Sequence, residues 1–222
     1  AFPPHISRQD RQCVEKQILD ALKDLPAPLK GRYHPMGELD HGQIRDKVPA
    51  GRAFAPGDRF QEAAGILTDF PLSRGVYASD DKKFVVWINE EDHLRIICME
   101  KSGHISRVFN HLVTALDILG RYLVFASDPD MGYLNACPTN IGTAMRAGVH
   151  IRLPKLEKQP KELAKLAHAH GLQIRGTAGE KTQVFGSVFD ISNSRRLGIC
   201  ETRIIQDLYT GIAAIIKKEK KL

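Results

Sequence analysis

Phe84-Val-Val-Trp-Ile-Asn-Glu-Glu-Asp-His-Leu-Arg-Ile-Ile-Cys-Met99 joins two apolar runs through a highly charged connection. Each run reads as a buried strand. The connection Asn89-Glu90-Glu91-Asp92 is short enough to make the pair an antiparallel hairpin, although it lacks the Asn-Gly or Asp-Gly of the tightest turns. Residues of equal parity share a face of an extended chain, so Glu91, His93 and Arg95 point one way while Leu94, Ile96 and Cys98 point the other. Two uses fit this pattern. It is either a solvated acidic turn capping two core strands, or a surface on which carboxylates, a base and a cation meet.

Working outward from the hairpin, Arg74 to Tyr77 reads as the strand leading into it across the turn Ser79-Asp80-Asp81. Before that, Asp58 to Leu67 reads as a short helix, and Pro26 to Gly57 as a long irregular connection of the kind that usually covers something. Upstream, Ser7 followed by Asp10 is an N-cap signal, and Val14, Ile18, Ala21, Leu22 and Leu25 recur at helical spacing until Pro26. Downstream, Ile105, Val108, Phe109, Leu112, Ala115, Leu116 and Leu119 mark a second long amphipathic helix. Met131 to Cys137 leads through a loop to a strand, Met145 to Leu153, with Val149, Ile151 and Leu153 on one face and Arg146, His150 and Arg152 on the other. Pro160 opens a helix that Gly171 closes. Strands Leu172 to Arg175 and Val184 to Ile191 bracket a Gly-rich loop, and Ile204, Leu208, Ile212 and Ile216 define a terminal helix. Helices and strands alternate irregularly and no repeat or linker divides the chain. The expected fold is therefore α+β, a largely antiparallel sheet flanked by helices, in one domain spanning 1–222.

With 42% hydrophobic residues across 222 positions and no apolar run near the ~20 residues that span a bilayer, a soluble globular protein without a membrane partner is expected. Cys13, Cys98, Cys137 and Cys200 form no C-x-x-C pair, which favours a reduced, cytoplasmic setting over a disulfide framework or a cysteine-held metal. The net charge of +6 is dispersed except in Lys217-Lys-Glu-Lys-Lys221, a tail suited to the negative pole of a helix. That charge suits an anionic ligand, while aromatic-basic interleaving and zinc-finger spacing are missing, so no nucleic-acid partner is expected.

Two more segments carry chemical potential. Cys137-Pro-Thr-Asn-Ile-Gly-Thr143 places a thiol where hydroxyl and amide donors and nearby arginines can stabilise the thiolate; the plainer alternative is a half-buried structural cysteine. Arg175-Gly-Thr-Ala-Gly-Glu180 is a loop able to move or to approach phosphates, or simply a strand connection. It is no P-loop, because Glu180 stands between Gly179 and Lys181. Together these segments supply carboxylates (Glu91, Glu180), a candidate thiolate (Cys137) and guanidiniums (Arg95, Arg146, Arg175). Phosphoryl transfer needs such a set, because its transition state spreads negative charge over phosphate oxygens that rigid, permanently charged guanidiniums hold well.

The strings Trp87-Ile-Asn-Glu-Glu-Asp-His-Leu-Arg-Ile96, Cys137-Pro-Thr-Asn-Ile-Gly-Thr143, His150-Ile-Arg-Leu-Pro154, Arg175-Gly-Thr-Ala-Gly-Glu180 and Asp190-Ile-Ser-Asn193 closely resemble the catalytic domain of phosphagen (guanidino) kinases such as arginine and creatine kinase. The similarity runs from Phe2-Pro-Pro-His-Ile-Ser-Arg8 to the C-terminus. It implies reversible transfer of the ATP γ-phosphoryl group to a guanidino acceptor, with ATP/ADP carrying Mg²⁺. By the resemblance Glu91 orients and deprotonates the guanidinium, Cys137 as thiolate holds its other side, and Glu180 contacts it from the loop. Arg95, Arg146 and Arg175 bind the nucleotide phosphates, with His150 and Asp190 near ribose and adenine. Glu180 resembles arginine kinases, where creatine kinases carry an apolar residue, so arginine is the expected acceptor. Phe2 to Arg8 and Gly186-Ser-Val-Phe-Asp190 read more like creatine kinase.

The chain also departs from the family. The small N-terminal helical domain and the strand of alternating arginines that grip the phosphates have no counterpart, so the chain is expected to be the interior of a longer gene product, or to associate with such a domain or a larger assembly. Each charge-assisted phosphate contact contributes roughly 1.5–3 kcal/mol, so losing two costs on the order of 10² to 10⁴ in affinity or rate. Gly51 stands where the family has a His packing on adenine. A non-catalytic binding or scaffold module is the alternative to an enzyme.

Overall fold

The structure is a computed structural model describing residues 2–38, 59–176 and 186–222. In chain order its helices are α1 (Arg8–Leu22), α2 (Arg59–Ala63), α3 (Ile105–Leu119), α4 (Pro160–Ala169) and α5 (Glu201–Lys221). Its strands are β1 (Gly31–Pro35), β2 (Gly75–Ser79), β3 (Phe84–Ile88), β4 (Leu94–Cys98), β5 (Ser127–Asp128), β6 (Gly132–Tyr133), β7 (Gly148–Arg152), β8 (Leu172–Arg175) and β9 (Val188–Asn193). Every strand pair among the described residues is antiparallel, as the α+β reading requires. The chain forms two compact units, Ala1–Ala126 with Asn135–Cys137, and Ser127–Leu134 with Pro138–Leu222. Among the described residues no helix is long and apolar enough to cross a membrane.

The first unit is built on the sheet β1-β2-β3-β4. Ile88 pairs with Leu94 and Phe84 with Cys98, so the charged connection is the turn of a hairpin. Tyr77, Phe84, Val86 and Ile88 pack on Ile18, Ala21 and Leu22 of α1 and on Ala115 and Leu119 of α3, with Leu94, Ile96 and Cys98 alongside. The opposite face carries Val76, Ala78, Val85 and Trp87 against Met36, with Ile97 and Met99 beside them. Both faces are covered, which is why β2 and β3 are buried along their whole length and read as continuous apolar runs rather than alternating ones. Ser7 Oγ accepts the Asp10 N–H at 3.1 Å and caps α1, as expected. That helix ends at Leu22, yet Leu25 is still buried in the core.

One strand was invisible to periodicity. Pro26 to Gly57 carries no clear period and is expected to be irregular, but Gly31-Arg-Tyr-His-Pro35 pairs with β2, Gly31 opposite Ser79. It is an edge strand ending in Pro, with no apolar alternation to announce it. Gly31 is held tightly: a Cβ there would fall 2.0 Å from the Ala78 carbonyl oxygen.

The second unit centres on β7-β9-β8. Along β7, Val149 and Ile151 are half-buried while Gly148, His150 and Arg152 are exposed, the alternation expected of one covered face. The strand is shorter than read, and Arg146 lies before it. Gly171 closes the α4 turn at φ +65, where glycine carries no Cβ penalty. In α5 the buried stripe is Ile204, Leu208, Ile212 and Ile215, so the last position is Ile215 where spacing indicated Ile216. The basic tail does more than complement the helix dipole. Lys218 pairs with Glu162 of α4 at 3.0 Å, and Glu219 accepts the Lys155 and Leu156 N–H groups at 2.9 and 2.8 Å.

Candidate active site

In the first unit, the turn after β3 is closed by Asn89, whose N–H donates to the His93 carbonyl at 3.0 Å. Glu90, Glu91 and Asp92 therefore bulge from a pinned base. Arg95, on β4, reaches back so that one nitrogen, Nη2, lies 3.1 Å from Glu91 Oε2 and 3.1 Å from Glu90 Oε2. Its guanidinium sits 5.2 Å over the Trp87 ring, its cross-strand neighbour, so the cation is held by a π-face as well as by charge. Burial pushes the half-buried Glu91 carboxyl above the usual glutamate range; Arg95 opposes this, Glu90 and Asp92 add to it, and a hydrogen bond from Gln61 opposes it. Carboxylates outnumber cations here, so the turn is a natural seat for a planar cation.

Asp92 Oδ1 accepts the Ala136 N–H at 2.7 Å. This bond draws the Asn135–Cys137 segment to the carboxylate turn, bringing the sequence neighbours of Cys137 and Glu91 together. None of the cysteines is in a disulfide, and Cys137 is half-buried. Cys98, by contrast, faces the core, where burial pushes its thiol up to about 12, so it stays protonated and unreactive.

The second unit assembles a different set. Asp190 lies on the central strand opposite His150 of β7 and Arg175 of β8. Its buried carboxylate accepts from Arg146 Nη2 at 2.7 and 2.6 Å, and His150 Nε2 is 3.7 Å away. The resemblance assigns Arg146 to phosphate and Asp190 to the ribose side; here the two form an ion pair. Asn193, also buried, fixes the chain around Arg146. It donates to the Met145 carbonyl at 3.1 Å and accepts the Ala147 N–H at 2.9 Å. Arg175 lines a hollow of about 350 Å³ with Thr139, Gln173, Ser194, Arg195 and Arg196. Arg196 Nη1 donates to the Thr139 carbonyl at 3.0 Å and its carbonyl accepts the Thr143 N–H at 3.1 Å, so it clasps the segment after Cys137. Cations dominate this unit's functional face, which suits an anion.

The expected residues thus fall into two groups, Glu91, Arg95 and Cys137 in one unit and Arg146, His150, Arg175 and Asp190 in the other. Glu180 and Gly51 lie outside the described residues. The side chains Asn89, Asp92, Trp87, Asn193 and Arg196 support these groups without having a role of their own among the expected residues. A signal was available for two of them: an asparagine at a strand end next to a charged turn or an arginine has a side chain able to bond several backbone groups at once.

Comparison with known proteins identifies the relatives. The profile of the family described as ATP:guanido phosphotransferase, C-terminal catalytic domain, matches residues 13–222. An arginine kinase of Limulus polyphemus is 42% identical over 219 residues, covering 99% of this chain and 61% of that protein. Arginine kinase 1 of Drosophila melanogaster is 39% identical, covering 100% and 62%. Among solved structures, the duplicated taurocyamine kinase of Schistosoma mansoni with bound transition state analog components superposes with a TM-score of 0.92 at 37% identity, covering 100% of this chain and 31% of that one. A lombricine kinase gives a TM-score of 0.89 at 34% identity, covering 99% and 62%. The chain therefore spans about three-fifths of the length of the curated relatives it matches.

Proposed function

The chain belongs to the ATP:guanido phosphotransferase family through its C-terminal catalytic domain, and on that premise we propose that it transfers the γ-phosphoryl group of ATP reversibly to a guanidino acceptor, as one catalytic domain spanning 1–222. The observation that carries this reading is the opposite electrostatic character of its two clusters. A carboxylate-rich turn offers a seat to the protonated guanidinium, and the arginines at the ends of the second unit's strands, Arg146 before β7 and Arg175 closing β8, offer one to the polyphosphate.

In this reading Glu91 takes the proton from the attacking guanidino nitrogen. A guanidinium is a poor nucleophile until a positioned base removes that proton, and a carboxyl raised by burial is a better base than an ordinary glutamate. As the new P–N bond forms, the bond from γ-phosphorus to the bridging oxygen breaks and ADP leaves. Cys137 as thiolate and Glu180 hold the acceptor. Arg95, Arg146 and Arg175 carry the phosphate charge, and His150 and Asp190 lie toward the sugar and base. Arg146 then exchanges part of its pairing with Asp190 for phosphate oxygens. Magnesium enters with the nucleotide as part of the substrate.

Arginine is the preferred acceptor, supported by the arginine kinases among its relatives and by Glu180. The cytoplasmic setting, and joining to an N-terminal domain or a larger assembly, belong to the same proposal; the duplicated neighbour, of which this chain covers 31%, supports the latter. The test is a coupled assay over arginine, creatine, taurocyamine and glycocyamine on a form extended by the family's N-terminal half, with calorimetry of Mg·ADP binding. Turnover with arginine is expected. Nucleotide binding without turnover on any acceptor would favour a scaffold instead.

A further inference from the structure

Asn89 is 3% exposed and sits at φ +57, the left-handed region that asparagine tolerates better than other L residues with side chains. Its side chain is saturated. Nδ2 donates to the Arg11 carbonyl at 3.1 Å and to the Ser73 carbonyl at 2.9 Å, and Oδ1 faces His93 Nδ1 at 3.0 Å. One amide thus ties together α1, the segment before β2, and the far side of the acidic turn.

The carbonyls it holds belong to a shell that is itself fixed. Arg11 is buried and pairs with Asp69 at 3.5 Å. Arg74, equally buried, donates to the Ile66, Thr68 and Leu72 carbonyls at 2.6, 3.1 and 3.1 Å. Burial and, after it, the Arg11 charge lower Arg74 to about 10, so it remains a cation at neutral pH. Arg74 and Asn89 find carbonyl partners throughout this shell, while Arg11 Nη2 is buried without a hydrogen-bond partner among the described residues; a buried polar network of this kind is costly to rearrange.

We infer that Asn89 is the positioning residue for Glu91: held between the Arg11 and Ser73 carbonyls on one side and His93 on the other, it sets the orientation of the Glu90-Glu91-Asp92 turn and so of the Glu91 carboxylate. The inference deepens the proposed function, because it gives Asn89 its importance through the base role of Glu91. No other residue type meets all the demands. Aspartate cannot donate to two carbonyls, glutamine is a methylene too long, and glycine keeps the backbone conformation while losing every side-chain bond.

Asn89→Gly therefore separates the side chain from the backbone. In the full chain we expect kcat to fall about 10²-fold, the loss typical of a misplaced reacting group, with KM for the nucleotide nearly unchanged. Added to Glu91→Gln, the same substitution should lower kcat no further, because it acts through that carboxylate. A second readout needs no turnover. Carboxyl-carbon NMR, with the Glu91 resonance assigned by its loss in Glu91→Gln, should show Glu91 titrating closer to an ordinary glutamate in Asn89→Gly as the turn admits water. The groups facing Glu91 are Arg95, Glu90, Asp92 and Gln61, and all are unchanged by the substitution. If Asn89→Gly does not fold, His93→Ala removes only the far hold and should move the titration the same way by less. An unmoved Glu91 titration, or equal loss of kcat in both backgrounds, would overturn the inference. If the parent transfers no phosphoryl group to any acceptor, the proposed function fails, and the titration still decides whether Asn89 holds the carboxylate.

Discussion

The two units solve the same placement problem with the same device and opposite charges. In the first, buried Asn89 binds backbone on both sides of the turn that carries Glu91; in the second, buried Asn193 binds backbone on both sides of Arg146. An amide brings donors and an acceptor without a charge of its own, so it can pin a segment without biasing what the segment binds. The flanking side chains set that bias. Around Glu91 a shared, partly exposed Arg95 serves more than one carboxylate, whereas around Asp190 a single buried carboxylate serves Arg146 and faces His150 and Arg175 across neighbouring strands. The difference teaches that frameworks built alike can present side-chain sets of opposite charge.

The comparison breaks most visibly at Glu91. Glu91→Gln should lower kcat by about 10²–10⁴, the usual contribution of a general base, while Mg·ADP binding measured by calorimetry persists. Equal loss of both would mean that the turn does not specialise in the acceptor.

Next in size is the pair of buried Asp190 with Arg146. Asp190→Ala removes the carboxylate that Arg146 binds at 2.6 Å, but the Arg146 side chain is 29% exposed and is rehydrated, so the cost in urea unfolding should be about 1–2 kcal/mol. The matching change in the other unit, Glu90→Gln, should cost under about 1 kcal/mol, because Arg95 is 36% exposed and keeps Glu91. Similar costs at the two sites would erase the contrast.

A smaller effect concerns pH. The folded state raises the Glu91 carboxyl above its ordinary value, so the base form disappears as pH falls through that raised value, and the acid limb of kcat/KM should lie above the usual glutamate range. The sign for stability is opposite. A group with a raised folded pKa contributes stability that is full below its unfolded pKa and lost as pH rises through the folded one. Glu91→Gln should accordingly melt no lower than the parent at neutral pH, as checked by thermal unfolding, and a lower melting temperature would show that Arg95 attraction outweighs burial.

Much of this arrangement was legible in the chain. Hairpin, helix cap and alternating β7 each follow from local signals: apolar runs around Asn89-Glu90-Glu91-Asp92, Ser7 before Asp10, and Val149 and Ile151 alternating with His150 and Arg152. Illegible were features whose cause lies elsewhere in the molecule. Gly31–Pro35 is a strand only because β2 offers it an edge, and Asp92 matters only because Ala136 arrives beside it. Arg146 and Asp190 stand as separate functional candidates in the sequence, and the segment before β7, held by Asn193 on either side of Arg146, makes them partners.

The sequence by itself determined which side chains carry charge, which stretches are apolar enough to be buried, and where turns and caps interrupt them, because those follow from neighbours a few residues apart. Only the tertiary structure decided which charges meet and which are desolvated. Ion pairing and the proton affinity of a carboxyl depend on distance and burial, and these are set by strand register and packing between segments far apart along the chain.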